Sequence, residues 1–168
     1  VQKNLGPAGV TLVVTKKDFI ENSPENIPTM LRYNTYSKKN SLYNTPPAFC
    51  IYIVGKVAAW IKAQGGLPAM AQRNAKKAAL LYDVIDNYSD FYKGHAEKDS
   101  RSFMNVTFRL PTEELEAKFI AEAKELKLCG IKGHRSVGGL RASIYNAMPY
   151  EGAKCLADFM EKFHQDNK

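Results

Sequence analysis

The stretch SFMNVTFRL alternates: Met104, Val106, Phe108 and Leu110 fall on one side, Asn105, Thr107 and Arg109 on the other. That is the period of a strand with one buried face. The period then turns helical. Leu115, Phe119, Ala123 and Leu126 form one stripe, Thr112 is placed to cap its start, and Glu113 and Glu114 suit the positive helix end. Helical spacing returns in Leu156, Phe159, Met160 and Phe163. Between these two helices, LCGIKG and LRASIYNA read as short strands flanking a glycine loop. Upstream, a helix from about Pro68 to Asp86 carries Ala78, Leu81 and Ile85 on one face. From about residue 67 the order is helix, strand, helix, strand, strand, helix, which predicts a compact α/β sandwich with helices on a small sheet.

The first 66 residues do not look self-sufficient. VTLVVT, residues 10–15, is β-branched and predicts a buried strand. Residues 18–45 are polar and irregular, a length usually reserved for functional or mobile loops. Thr45 is a good N-cap and Pro46 a good first residue for the helix that follows. Its run AFCIYIVGKVAAWIKAQ is apolar on most sides, so it is expected to be largely buried, Trp60 included, until Gly65-Gly66 stops it. A strand so close to Val1, with no polar leader, reads as a chain that opens inside a fold, as a fragment or processed product would.

Composition adds limits. The chain has 168 residues, 45% hydrophobic and 24% charged, as in soluble globular proteins. No apolar run reaches membrane-span length, and no signal-peptide pattern opens the chain. Cys50, Cys129 and Cys155 are far apart and lack zinc spacing, which fits a reducing cytoplasm. Net charge is +7 and the pI about 9.3, compatible with nucleic acid, acidic lipid or a small anionic ligand. Many lysines, among them Lys76, Lys77, Lys118, Lys124 and Lys127, read as solvated helix faces. No basic run exceeds two residues and no nucleic-acid-binding signature is present, so a nucleic-acid partner is not expected.

Three places could carry chemistry. In KGHRSVGGLRASIYN, Gly133, Gly138 and Gly139 let the backbone turn sharply and approach a ligand. His134 and Arg135 sit on this loop, and Arg141 opens the next strand, sharing a face with Ser143 and Tyr145. Two guanidiniums six residues apart can hold two anionic groups, each by paired hydrogen bonds. The plainer reading is a surface turn whose arginines meet acids, but no acid lies between Glu125 and Glu151. Lys3 stands before a glycine-rich turn, where desolvation would make a lysine a nucleophile towards carbonyls. An exposed lysine near a chain end is the plainer alternative. Asn44 and Thr45 precede a helix, where their donors suit a phosphate or simply cap the helix. His95 and His164 read as surface residues, and Asp86, Asn87 and Asp90 as a helix end and loop. There is no metal-ligand cluster and no Ser/His/Asp arrangement.

QKNLGPAGVT, SLYNTPPAFCIY, RSFMNVTFRL and KGHRSVGGLRASIYNAMP, in this order, resemble the phosphoserine aminotransferase family. This is a class V aminotransferase group of fold-type I enzymes that use pyridoxal 5'-phosphate. The likeness covers essentially the whole chain and corresponds to the C-terminal part of the enzyme. It implies residues 1–66 as a remnant of the large cofactor-binding domain (lysine turn, strand, interface loop, linking helix) and residues 67–168 as the small C-terminal α/β domain. By resemblance, Lys3 forms the internal Schiff base, Gln2 contacts the cofactor, and Asn44 and Thr45 reach the cofactor phosphate of the other subunit of a homodimer. Arg141 resembles the arginine on the substrate α-carboxylate. His134 and Arg135 resemble residues on the phosphate of phosphoserine or the distal carboxylate of glutamate. The implied reaction passes an amino group from glutamate to 3-phosphohydroxypyruvate, giving O-phosphoserine and 2-oxoglutarate on the route to serine. The released Lys3 amine moves the α-proton as general base and acid, the cofactor ring serves as electron sink, and the arginines orient the substrate.

In that family the acid on the pyridine nitrogen, the stacking aromatic and most of the phosphate cup precede the lysine. The isolated chain is therefore expected to be inactive without its N-terminal half. A second reading is a folded C-terminal module that dimerises or binds an anion without turnover. A third, a basic nucleic-acid-binding domain, predicts steeply salt-sensitive binding.

Overall fold

The computed structural model describes residues 1–168, which divide into two compact units, Val1–Trp60 and Ile61–Lys168. The first holds two short helices, α1 (Lys17–Glu21) and α2 (Tyr33–Ser37), and most of α3 (Ala48–Ala63). The glycine-rich turn sits on α3: the Cys50 thiol meets the Ala8 carbonyl at 3.3 Å, and a Cβ on Gly6 would lie 3.0 Å from Val54.

Several expectations fail in this unit. Residues 10–15 form no strand, and Leu12, Val13 and Val14 are exposed. A strand is completed by a ladder partner, and this chain offers that run none. Helix α3 has no buried residue; Phe49, Ile51 and Tyr52 are exposed, and Trp60, expected in the core, is 36% exposed. The helix starts at Ala48, with the Pro47 carbonyl accepting from Ile51 N–H, so Thr45 lies outside it rather than at its cap. The irregular stretch 18–45 holds α1's end, α2 and a 3-10 turn at Thr29–Leu31.

The second unit forms helices and strands where the sequence pattern places them, but the order is helix, strand, strand, helix, strand, helix: Lys93–Gly94 adds a short strand that the pattern did not indicate, and LCGIKG forms none. Gly65, at φ 96°, ends the preceding helix and starts α4 (Gly66–Asn87). A three-stranded antiparallel sheet follows, in the order β1 (Lys93–Gly94), β2 (Asn105–Arg109), β3 (Leu140–Ser143). Helix α5 (Glu113–Glu125) is capped as expected, with the Thr112 hydroxyl accepting from Leu115 N–H at 3.3 Å. Helix α6 (Tyr150–Asn167) completes the layer.

One face of the sheet is apolar. Val106, Phe108, Leu140 and Ala142 are buried with Ala78, Leu81 and Ile85 of α4, Phe119 and Ala123 of α5, and Leu156, Phe159, Met160 and Phe163 of α6. Edge-to-face rings run through the core: Tyr92 on Phe108 at 5.7 Å, Phe108 on Phe119 at 5.9 Å, Phe119 on Phe163 at 5.0 Å. Leu126, expected in the α5 stripe, is exposed because the helix has ended one residue earlier. LCGIKG contributes only a bridge, Lys132 opposite Leu140. The other face of the sheet is polar and carries Asn105, Thr107, Arg141 and Ser143.

Lys77 reverses its expected place. It is fully buried, and its ammonium donates to the carbonyls of Ile144 (3.1 Å), Tyr145 (2.7 Å) and Met148 (3.0 Å). Three N–H donors meet three acceptors, so the burial that pushes its pKa below the ordinary value still leaves the charge matched. Asn74 Nδ2 adds a 2.7 Å bond to Asn146 Oδ1. The two residues pin the segment after β3 to α4.

Candidate functional site

The proposed residues fall in both units, and each set is described by itself. In the first unit Gln2, Lys3, Asn44 and Thr45 are all exposed. Lys3 lies in the tight opening turn, its backbone N–H bonded to the Val1 carbonyl at 2.6 Å. Asn44 Nδ2 donates to the Thr45 carbonyl at 3.2 Å, three residues ahead of α3.

In the second unit the structure brings His134, Arg135 and Arg141 onto one β-hairpin. Gly133 N–H donates to Gly139 O at 2.8 Å, and Arg141 N–H to Ile131 O at 2.7 Å, closing the base of the loop. The His134 carbonyl accepts from Val137 N–H at 2.9 Å and Gly138 N–H at 2.8 Å, closing its tip. Gly138 and Gly139 take φ of 76° and 67°, the left-handed region that glycine enters freely. A Cβ on Gly133 would stand 2.1 Å from Gly138 O, so only glycine fits there.

The side chains follow. His134 Nδ1 lies 2.7 Å from the Ser136 hydroxyl and accepts from Ser136 N–H at 3.3 Å. Arg135 is exposed on the loop. Arg141 stands opposite Thr107 on the polar face of the sheet, and its buried Nε has no hydrogen-bond partner. No acid pairs with it among the ion pairs of the chain. Beside it, Asn105 Oδ1 accepts from the hydroxyls of Ser143 and Tyr145, each at 3.2 Å, which fixes the floor next to Arg141.

Two residues beneath the loop were not singled out from the sequence. Arg109 donates to the Val137 carbonyl and pairs with Glu116 at 3.8 Å. Alternation gave its face but not this contact, because Val137 is distant in sequence. His164, expected at the surface, is half-buried: its ring stacks on Tyr88 at 4.1 Å, and its Nδ1 has no partner. His95 is exposed as expected. Among the described residues no cluster of acids, histidines and cysteines could hold a metal, and no helix is long and apolar enough to cross a membrane.

Comparison with known proteins identifies the family and the fold. The sequence pattern of the aminotransferase class-V family matches residues 1–156. A phosphoserine aminotransferase of Herpetosiphon aurantiacus is 59% identical over 162 residues, 96% of this chain and 45% of that protein. The solved phosphoserine aminotransferase from Bacillus circulans subsp. alkalophilus superposes with a TM-score of 0.94 at 56% identity, covering 99% of this chain and 46% of that one. A pyridoxal-phosphate-bound phosphoserine aminotransferase from Trichomonas vaginalis gives 0.79 at 37% identity over 86% of this chain and 42% of its own. The chain thus spans about half the length of the curated relatives it matches. It is a member of the aminotransferase class-V family.

Proposed function

We propose that this chain is the C-terminal part of a phosphoserine aminotransferase that moves an amino group between glutamate and 3-phosphohydroxypyruvate, giving O-phosphoserine and 2-oxoglutarate. The observation that carries the reading is Arg141: a guanidinium on a half-buried sheet face, its Nε buried without a partner, on the same hairpin as His134 and Arg135. A buried donor left unpaired is costly unless a ligand satisfies it. A planar carboxylate meets it by paired bonds, and the loop's His134 and Arg135 then face the second anion of the same substrate.

The donor set fits pyridoxal 5'-phosphate: a primary amine, Lys3, on an exposed turn, and the amide and hydroxyl donors of Asn44 and Thr45 ahead of a helix. Gln2 is assigned a neighbouring contact. When bound, the cofactor supplies an electron sink for charge developing at the substrate α-carbon. In this reading the Lys3 amine would serve as the base and acid for the α-proton, and the Arg141 guanidinium would hold the substrate carboxylate. The reading includes a homodimer in which Asn44 and Thr45 serve the partner's cofactor, and an N-terminal half that covers the exposed apolar run Leu12–Val14 and α3. The reading puts the domain boundary at the glycine pair, residues 1–66 against 67–168, six residues beyond the division of the compact units at Trp60 and Ile61. Three free cysteines fit a reducing cytoplasm. A second reading rests on the self-contained core of the second unit: on its own this piece is a folded anion-binding or dimerising module without turnover.

The test is Lys3→Ala in the full-length protein. Loss of transamination between O-phosphoserine and 2-oxoglutarate, with folding and O-phosphoserine binding retained, is expected; near-normal turnover overturns the proposal.

A further inference from the structure

The anion loop does not hold itself. Its tip is braced from below by Arg109, the last residue of β2. The Arg109 guanidinium donates to the Val137 carbonyl. It fills the space that side chains at the next two positions would need: a Cβ on Gly138 would lie 3.1 Å from Arg109 Nη2, and one on Gly139 3.0 Å from Arg109 Cγ. The two left-handed glycines thus let the loop lie flat on the arginine. Arg109 is held in turn by Glu116, 3.8 Å from Nη1. Glu116 is itself only 9% exposed, and its carboxylate accepts from Leu110 N–H at 3.4 Å. A buried acid on α5 is therefore connected through one guanidinium to the backbone that carries His134 and Arg135.

We propose that Arg109, oriented by Glu116, is a positioning residue that sets the height and rigidity of the His134–Arg135 loop and so the affinity for the substrate's distal anion. This rests on the assignment of His134 and Arg135 to that anion. Arg109 Nη2 donates to a protein carbonyl and Nη1 pairs with the Glu116 carboxylate, so its action on the substrate is through the loop it supports. A mobile loop must be ordered each time substrate binds, and that ordering is subtracted from affinity. The effect belongs to binding, common to ground and transition states, and appears in KM with kcat retained.

The experiment compares Arg109→Gln, Arg109→Lys and Glu116→Gln with His134→Ala and Arg135→Ala, all in the full-length enzyme. Arg109→Gln is expected to raise KM for O-phosphoserine by roughly tenfold with kcat within about twofold. Arg109→Lys, which keeps the charge for Glu116 and a donor for Val137, is expected to recover most of that loss. Glu116→Gln, which keeps the acceptor for Leu110 N–H, is expected to give an intermediate rise, and it decides the matter if Arg109→Gln does not fold. Unchanged KM in the Arg109 and Glu116 variants, while His134→Ala and Arg135→Ala raise it, overturns the positioning role and leaves the anion-loop assignment standing. Parallel falls in kcat and thermal stability with KM unchanged show a merely structural residue and overturn it too. Unchanged KM for His134→Ala and Arg135→Ala removes the assignment itself, and the inference with it.

Discussion

Gly133→Ala is a one-carbon change at the base of the hairpin, and its cost can be worked from the surrounding backbone. The added Cβ would stand 2.1 Å from Gly138 O, 2.7 Å from Gly139 O and 2.9 Å from Gly138 C, where ordinary contact begins at 3.4 Å. The 138–139 peptide must therefore retreat by about 1.3 Å, because a backbone carbonyl cannot rotate away as a side chain would. Its retreat is obstructed. Arg109 Nη2 and Cγ lie close to Gly138 and Gly139, and Phe108 O is 3.0 Å from the Cβ position of Gly139. Relief also strains the 2.8 Å bond from Gly133 N–H to Gly139 O. Overpacking costs about 1–3 kcal/mol and a lost hydrogen bond about 1, so a destabilisation of about 2–4 kcal/mol is expected.

Gly130→Ala is the control. Gly130 also has a left-handed φ, 77°, but a Cβ there meets nothing within 4 Å. Only the backbone preference is lost, about 1 kcal/mol. Urea denaturation of both variants separates the two effects. If Gly133→Ala is no worse than Gly130→Ala, the loop yields freely, and the close packing of Gly138 and Gly139 over Arg109 constrains nothing.

Three further outcomes follow from particular contacts. Lys77→Met keeps the stem but leaves the carbonyls of Ile144, Tyr145 and Met148 without their donor, and should cost about 3 kcal/mol or more by chemical denaturation; a loss under about 1 kcal/mol would show that water replaces the ammonium. Asp86 accepts from Arg101 at 2.6 and 2.9 Å and pairs with Lys98 at 3.2 Å, which lowers its pKa from 3.8 to about 2. Its folded value lies below its unfolded one, so its contribution is complete above pH 3.8 and is lost as pH falls through about 2. With the pair partly solvated, that contribution is roughly 1 kcal/mol, and Asp86→Asn should flatten the stability profile in this window; an unchanged acid slope would show the pair to be inert. Arg141→Lys replaces a planar fork by a point charge and should raise KM for O-phosphoserine by roughly tenfold or more; unchanged kinetics in the full-length enzyme would remove Arg141 from the substrate.

The two units differ in how far the sequence could be read, and the difference is physical. In the second unit the periods of β2, α4, α5 and α6 each describe a face that another element of this chain covers, so pattern and burial agree at Phe108, Phe119 and Phe163. In the first unit the patterns are equally apolar, but no residue from Val1 to Trp60 is buried. VTLVVT has the composition of a buried strand and lacks the ladder that would make it one. Hydrophobic periodicity therefore reports what a segment can bury, while burial itself requires a covering surface that the segment does not contain. The same distinction governs the candidate site. The glycines of the hairpin were legible because turn chemistry is local. Lys77 was not, because a lone lysine on a helix is solvated by default. Only the carbonyls of Ile144, Tyr145 and Met148, in the segment that follows β3, turn it into a clamp. Arg109 is the same case at the other end of β3. Its face was legible from alternation, but its use depends on Gly138 and Gly139 lying flat on it, and on the acid at Glu116 one helical turn into α5. What sequence conceals in this protein is the set of long-range polar contacts around β3: the Lys77 ammonium on the segment that follows it, and the Arg109 guanidinium on the hairpin that precedes it.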